Sequence, residues 1–482
     1  MTEPVVHTTV TRRLPFPSPP PPASISRAGD VHHAHGLSLL HGWLPVTVQI
    51  AAVIALVVAV GWRTRRWRLV VLPVVVAVGA VAAVAARWFT ADQGLTGRNN
   101  TAPLSVWLFV GAAVSAVIVA ILGWRGTRWW RRAVSVAAIV LLSASSAVAV
   151  NKWVGYFPTL QAAYAAATAS PLPNEVSLDA LAGLRNTRLT QGRIVAVDTP
   201  NNLSGMTHRT EYVYLPPAWF DRPTPPKLPA VMMIGGEFAT PADWLRIGGI
   251  VPQLDAYAAA HGGSAPILVF PDTGGTFTND TECVNGPRDN SATHLTAEVV
   301  PYVEKTFNAS TAAANWGVAG FSMGGTCAID LAVTHPELFG TFVDIAGDVG
   351  PNAGNKQQTI QRLYVGNPAQ WNAFDPKTVM TTHGPYTGST GLFYTFAPTG
   401  PARAWIGGAR PEAAAAPHIK GLAAQFHAAE TLYTTAHRVG IDAALYLSPG
   451  AHTWTSAAVA FHAAMAWLFA AVGSGPSAHT AA

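Results

Sequence analysis

Hydrophobic and polar positions follow two different rhythms along this chain. From residue 43 to residue 150 the sequence is apolar in four long runs, 43–62, 69–89, 105–124 and 133–150. Each is roughly 18 to 21 residues, enough to cross a hydrocarbon core of about 30 Å as a helix. None has a polar face, which separates them from the amphipathic helices of a water-soluble core. Tryptophans mark their ends (Trp43, Trp62, Trp67, Trp88, Trp124, Trp129, Trp130, Trp153), as expected of an interfacial belt. The pattern predicts four transmembrane helices within residues 39–152.

After a linker (153–188, with an Ala-rich helical stretch at 160–169), short apolar runs alternate with longer amphipathic ones. Strands are predicted at 193–197, 211–215, 230–234, 267–270, 316–319, 341–345, 392–396 and 443–447. Helices are predicted at 242–261, 295–306, 325–335, 418–439 and 455–472. Strand–helix alternation from residue 228 onward implies a mostly parallel sheet covered on both faces, entered through an antiparallel pair. This domain is expected over residues 189–474. The Pro-rich stretch 1–38 and residues 475–482 lack an apolar period and read as disordered. The cluster His32, His33 and His35 reads as part of that polar tail.

Composition sharpens the division. Half the 482 residues are hydrophobic and only 11% are charged, an excess of apolar residues that fits membrane spans. The net charge of +5 is concentrated. Arg63, Arg65, Arg66 and Arg68 lie between the first two runs, and Arg125, Arg128, Arg131 and Arg132 between the last two. Without these eight the remainder is net acidic, so the basic balance reports topology and excludes a nucleic-acid footprint. The loop between the second and third runs holds only Arg98. Both arginine loops should therefore face the cytoplasm and the domain after residue 150 the outside. The two cysteines, Cys283 and Cys327, lack metal-ligand spacing.

The chemistry is carried by W-G-V-A-G-F-S-M-G-G-T-C, residues 316–327. Gly320, Ser322 and Gly324 form G-x-S-x-G between a strand-like and a helix-compatible run, the setting of a nucleophile elbow. The turn is tight, so positions two residues either side of the serine must lack bulk. The NH of Met323, opening the helix, is placed to stabilise an oxyanion. The serine needs a base, and His452 stands on a Pro-Gly-bounded loop between a short strand and the final helix. A second oxyanion NH is expected from Glu237, after the glycine pair Gly235-Gly236. The third member of the triad should be a carboxylate lying between Ser322 and His452. Glu412 fits best by loop position, ahead of Asp348, with Asp375 and Glu430 as further options. Cys283 sits in a Gly/Asn/Thr-rich loop that should overhang the same face as Cys327, predicting a disulfide beside the site.

These residues carry a resemblance. Residues from about 190 to 472 resemble the esterase family that includes esterase D-type enzymes and the mycolyltransferases of the actinobacterial cell wall. The matching pieces are V-Y-L-P (213–216), P-A-V-M-M-I-G-G (229–236), G-F-S-M-G-G (320–325), H-P-E-L-F (335–339), W-N-A-F-D-P (371–376) and G-A-H-T-W (450–454). The resemblance implies an α/β-hydrolase fold, Ser322 as nucleophile, His452 as base, oxyanion donors at Met323 and Glu237, and a structural Asp375. It implies a glutamate after the strand at 392–396 as the triad acid, where Glu412 is nearest. Gly235 departs from the aspartate of the family's D-G pair, and the membrane part has no counterpart in the secreted mycolyltransferases.

The expectation is a four-helix transmembrane region followed by an α/β-hydrolase domain. It would act as a membrane-anchored serine esterase on lipid or envelope esters, with aminoacyl-phospholipids and acylated glycolipids as examples. Acyl transfer to a sugar is the enzymatic alternative, and an inactive envelope-binding scaffold the non-enzymatic one. The predicted partner is a lipid or glycolipid ester; no metal, organic cofactor or nucleic acid is implied.

Overall fold

The computed structural model describes residues 15–17, 36–61, 63–92, 102–125, 127–412 and 415–473. The predicted tails, their histidine cluster and most of the loop containing Arg98 lie outside these residues.

Four N-terminal helices are long and apolar enough to cross a membrane: α1 (Trp43–Val60), α2 (Trp67–Asp92), α3 (Leu104–Gly123) and α4 (Trp129–Val154). Three of them extend past the predicted runs, because helical hydrogen bonding continues through the interfacial tryptophans and flanking polar residues. The α2–α3 crossing is close. A Cβ on Gly79 would stand 2.6 Å from the Gly111 carbonyl, and one on Gly111 2.9 Å from that of Gly79. Small residues at such a crossing let backbones touch where lipid supplies no hydrophobic drive. Helix α5 (Leu160–Ala167), capped by the Thr159 side chain, leads away from the bundle.

The remainder is built on a ten-stranded sheet. Its strands in chain order are β1 (Glu175–Val176), β2 (Arg193–Val197), β3 (Glu211–Leu215), β4 (Ala230–Ile234), β5 (Ile267–Phe270), the separate hairpin β6 (Asn285–Gly286) and β7 (Asp289–Asn290), β8 (Trp316–Phe321), β9 (Thr341–Ile345), β10 (Thr390–Ala397), β11 (Arg403–Ile406) and β12 (Asp442–Pro449). Their spatial order is β1-β2-β3-β5-β4-β8-β9-β10-β12-β11. Pairing is parallel from β5 through β12 and antiparallel at β2–β3, β3–β5 and β12–β11. The central strands β4, β5, β8 and β9 are buried at every position, which is why they read as continuous apolar runs rather than alternating ones.

Two apolar layers flank the sheet. One packs against α7 (Val300–Phe307), α8 (Met323–Thr334) and α9 (Lys420–Arg438). The other packs against α6 (Val251–Ala260) and α10 (Trp454–Ala471). Helix α10 is a fifth segment long and apolar enough to span a membrane. Its Phe461, Leu468 and Phe469 are instead fully buried against the sheet.

The helix predicted over 242–261 is broken. It forms Asp243–Arg246 and α6, separated by Gly248 and Gly249, because Gly249 turns at φ 58° and Gly248 packs on the Trp244 carbonyl. The segment predicted at 295–306 begins with a π turn, His294–Val299.

Contacts join the N-terminal segments, the linker and the α/β domain. The NH of Leu39 donates to the Pro158 carbonyl (3.0 Å), and that of Leu160 to Leu37 (2.9 Å). Arg362 donates to the carbonyl of Asp92 at the end of α2. Phe16 stacks on Trp467 with centroids 5.1 Å apart. Before α1, after α2 and after α4, the chain therefore meets the same side of the bundle, the side carrying the α/β domain.

Candidate active site

Ser322 ends β8 and caps α8 at φ 59°, ψ −120°, a conformation that costs a non-glycine residue about 1–3 kcal/mol. The surroundings enforce it. The Ser322 NH donates to the Ile345 carbonyl (2.8 Å), and its own carbonyl accepts from Gly325 (2.9 Å) and Thr326 (3.1 Å). A Cβ on Gly320 would fall 2.0 Å from the Gly324 carbonyl, and one on Gly324 2.3 Å from that of Gly235. Both glycines are thus required by the closeness of strand, turn and helix.

The Ser322 Oγ–H donates to Nε2 of His452 across 2.8 Å, although 130 positions separate them. His452 follows β12, and the next helix is fixed by Thr453, whose hydroxyl accepts from the Ser456 NH. Its ring lies against Phe321, centroids 4.8 Å apart. Burial among these groups pushes the imidazole down to about 4, favouring the neutral form that can accept a proton.

The residue behind the imidazole is not a carboxylate. The Nε2 of Gln425, on α9, lies 2.6 Å from Nδ1 of His452, and its Oε1 has no partner. A neutral imidazole accepting at Nε2 carries its hydrogen on Nδ1 and needs an acceptor there. Turning the amide so that Oε1 faces Nδ1 supplies one. Glu412, expected in this place, is elsewhere: its carboxylate is 72% exposed and 3.8 Å from Arg403. Strand β11 and the segment after it carry the chain away from His452. Asp348 lines the cavity but accepts from Asn352 (2.8 Å). Asp375 caps the helix Pro376–His383, and Glu430 faces His427 on the α9 surface. Gln425 is not among the sequence candidates because those were carboxylates, and a glutamine on a helix carries no such signal.

Met323 is the first residue of α8, where no intrahelical acceptor exists for its NH. Glu237 follows β4, and Gly236 before it approaches Ser322 so closely that a Cβ would stand 3.3 Å from the serine Cβ. Among the described residues neither NH, of Met323 or Glu237, has an acceptor within the chain. The two NH groups and the serine border one cavity of about 720 Å³. Trp153 and Val154 at the end of α4, and Tyr156 just beyond it, form part of the same wall. Tyr156 is locked there by its hydroxyl, which donates to the buried Asp243 and lies 3.1 Å from the Phe238 carbonyl. Cys283 and Cys327 are joined by a disulfide (S–S 2.07 Å), tying the loop after β5 to α8.

Among the described residues one group, His208, Glu211 and His294, has side chains close enough together to hold a metal. Its donors are already committed. His208 directs both ring nitrogens at carbonyls, Arg209 (3.0 Å) and Thr199 (2.7 Å). His294 lies between Glu298 (2.8 Å) and Glu211 (3.1 Å). Burial alone would lower the His294 pKa, but the bonds to the two carboxylates outweigh it and raise it. His294 is thus held between two carboxylates in a hydrogen-bonded strut, and both ring nitrogens of His208 are committed to carbonyls.

A serine forced into a strained kink at the carboxyl end of a parallel sheet, bonded to an imidazole from the last strand–helix loop, defines a serine ester hydrolase of the α/β-hydrolase fold. Residues 206–387 match the family described as "Putative esterase". An uncharacterized protein of Corynebacterium glutamicum is 26% identical over 347 residues, covering 70% of this chain and 78% of its own. Among solved structures, an S-formylglutathione hydrolase from Agrobacterium tumefaciens is 17% identical, covering 59% of this chain and 97% of its own, at a TM-score of 0.45. MPT51 of Mycobacterium tuberculosis is 19% identical, covering 57% of this chain and 100% of its own, at a TM-score of 0.38.

Proposed function

We propose that the protein is a membrane-anchored serine esterase whose substrate is a lipid or envelope ester reached from the outer face of the membrane. Ser322 attacks the ester carbonyl while His452 takes its proton, and the NH groups of Met323 and Glu237 hold the oxyanion. His452 then protonates the leaving alcohol, and water, activated the same way, releases the acid and restores the serine.

The observation that carries this reading is the shared wall. Trp153 and Val154, from a helix apolar enough to span a bilayer, border the cavity holding Ser322 and His452. A reaction centre built against the end of such a helix meets lipid esters at high local concentration. The orientation is supported by the arginines of residues 63–68 and 125–132, at the ends of the helices away from the α/β domain. The disulfide fits an oxidising compartment.

The test is labelling of membranes with a fluorophosphonate, paired with lipid extracts from cells carrying wild type or Ser322→Ala. Wild type should take the label, and Ser322→Ala should not, with hydrolysis falling at least about a thousandfold. The ester that accumulates with Ser322→Ala identifies the substrate. No label on wild type, or equal label on both, would sink the reading.

A further inference from the structure

The cavity beside Ser322 is lined by carboxyl groups that ester cleavage does not use. Glu237, Asp280, Glu282 and Asp348 all line it. Glu282 is 3% exposed, and its Oε2 has no hydrogen-bond partner. A buried carboxylate oxygen left without a donor is costly and marks a place where a donor is due. Arg288 neighbours Asp280, with Nη1 donating to the Asp280 carbonyl (2.5 Å) and lying 3.8 Å from its carboxylate. The lysines that line the cavity, Lys356 and Lys377, are exposed, and the Lys356 ammonium sits over the Trp371 ring at 3.8 Å.

The position of these acids is fixed relative to the serine. Glu282 and Cys283 both have positive φ (51° and 53°), and Cys283 is bonded to Cys327 on the helix that Ser322 caps. Glu237 supplies an oxyanion NH on the reading above, so its side chain starts one residue from the substrate carbonyl. Burial first and mutual repulsion second raise the pKa of Glu237 and Glu282, and an arriving cation would oppose that shift.

We propose that the cavity takes esters whose acyl half carries a primary ammonium group, that is, aminoacyl esters, with Glu282 as the buried acceptor and Glu237, Asp280 and Asp348 around it. An ammonium offers three donors on a compact charge, the complement of clustered carboxylates with an unfilled oxygen. The proposal rests on Ser322 being the nucleophile. The aminoacyl carbon bonds to Oγ as the alcohol leaves with the proton from His452. Water then cleaves that ester, giving one amino acid and one alcohol per ester and water consumed.

The full-length protein in detergent should be given L-alanine benzyl ester and benzyl propionate, which differ by the ammonium alone. Wild type is expected to favour the alanine ester by about 10- to 100-fold in kcat/KM, the size of one charged hydrogen bond. In Glu282→Gln and in Asp280→Asn the ratio should collapse toward one. Equal cleavage of the two esters by wild type, cleavage of neither, or an unchanged ratio in both variants overturns the ammonium subsite. Fluorophosphonate uptake by wild type in the same preparation separates the two failures. A labelled serine leaves the esterase reading standing, and an unlabelled one removes it as well.

Discussion

At Ser322 and Gln425, single side chains decide what the site can do. The φ of 59° at Ser322 is strain that glycine would not feel. Ser322→Gly should therefore raise stability by about 1 kcal/mol while abolishing turnover, whereas Ser322→Ala abolishes turnover with no such gain. Thermal melts of the two variants check this. Burial of His452 sets the pH response. The neutral imidazole is the working base, and with its pKa down at about 4 activity should persist from neutrality to about pH 5 and fall below that. Gln425→Glu would place a charge that favours the imidazolium, so the acidic limb of kcat/KM should move upward in pH. Gln425→Ala should lower kcat/KM by about 10- to 100-fold through loss of the Nδ1 acceptor. Stability follows the same residue. The unfolded chain protonates this histidine near 6.5 and the folded one resists until about 4, so stability declines as pH falls through that window.

Elements explain what sequence could reveal. Gly320, Ser322 and Gly324 were legible because the turn tolerates no Cβ at its two flanks, and that constraint is written into residue type. His452 was legible from its place between a terminal strand and the last helix. Gln425 was not, because the face of α9 that meets the imidazole is set by packing of Phe426, Leu432 and Tyr433 against the sheet. Strand β11 escaped notice for a similar reason. R-A-W-I has one buried residue, Trp405, and pairs only at the sheet edge with β12. The apolar strands β4, β5 and β9 have nowhere to go but the interior, and their bounds were read without error. The loop after β5 depends on its tie to α8. Cys327→Ser should cost about 2–4 kcal/mol for a closed loop with a separation of 44 residues. It should also leave Glu282 without its anchor, which urea unfolding and the benzyl ester ratio would register separately.

On the scale of the whole molecule, the bundle and the α/β domain complete one cavity between them. A chain cut after Tyr156 keeps Ser322, Gln425 and His452 but loses Trp153, Val154 and Tyr156 from the wall. It should still react with a small fluorophosphonate and lose most of its activity on lipid esters in vesicles. If vesicle hydrolysis survives the cut in full, the bundle is an anchor and nothing more.

That wall also decides which concentration matters. On the proposed function, an enzyme whose mouth lies at the end of α4 would sample molecules that arrive by sliding within one leaflet, so volume would be the wrong denominator. Diluting the substrate lipid with inert lipid at constant total substrate should slow the reaction in proportion. Diluting the whole vesicle suspension with buffer should leave the turnover per enzyme unchanged.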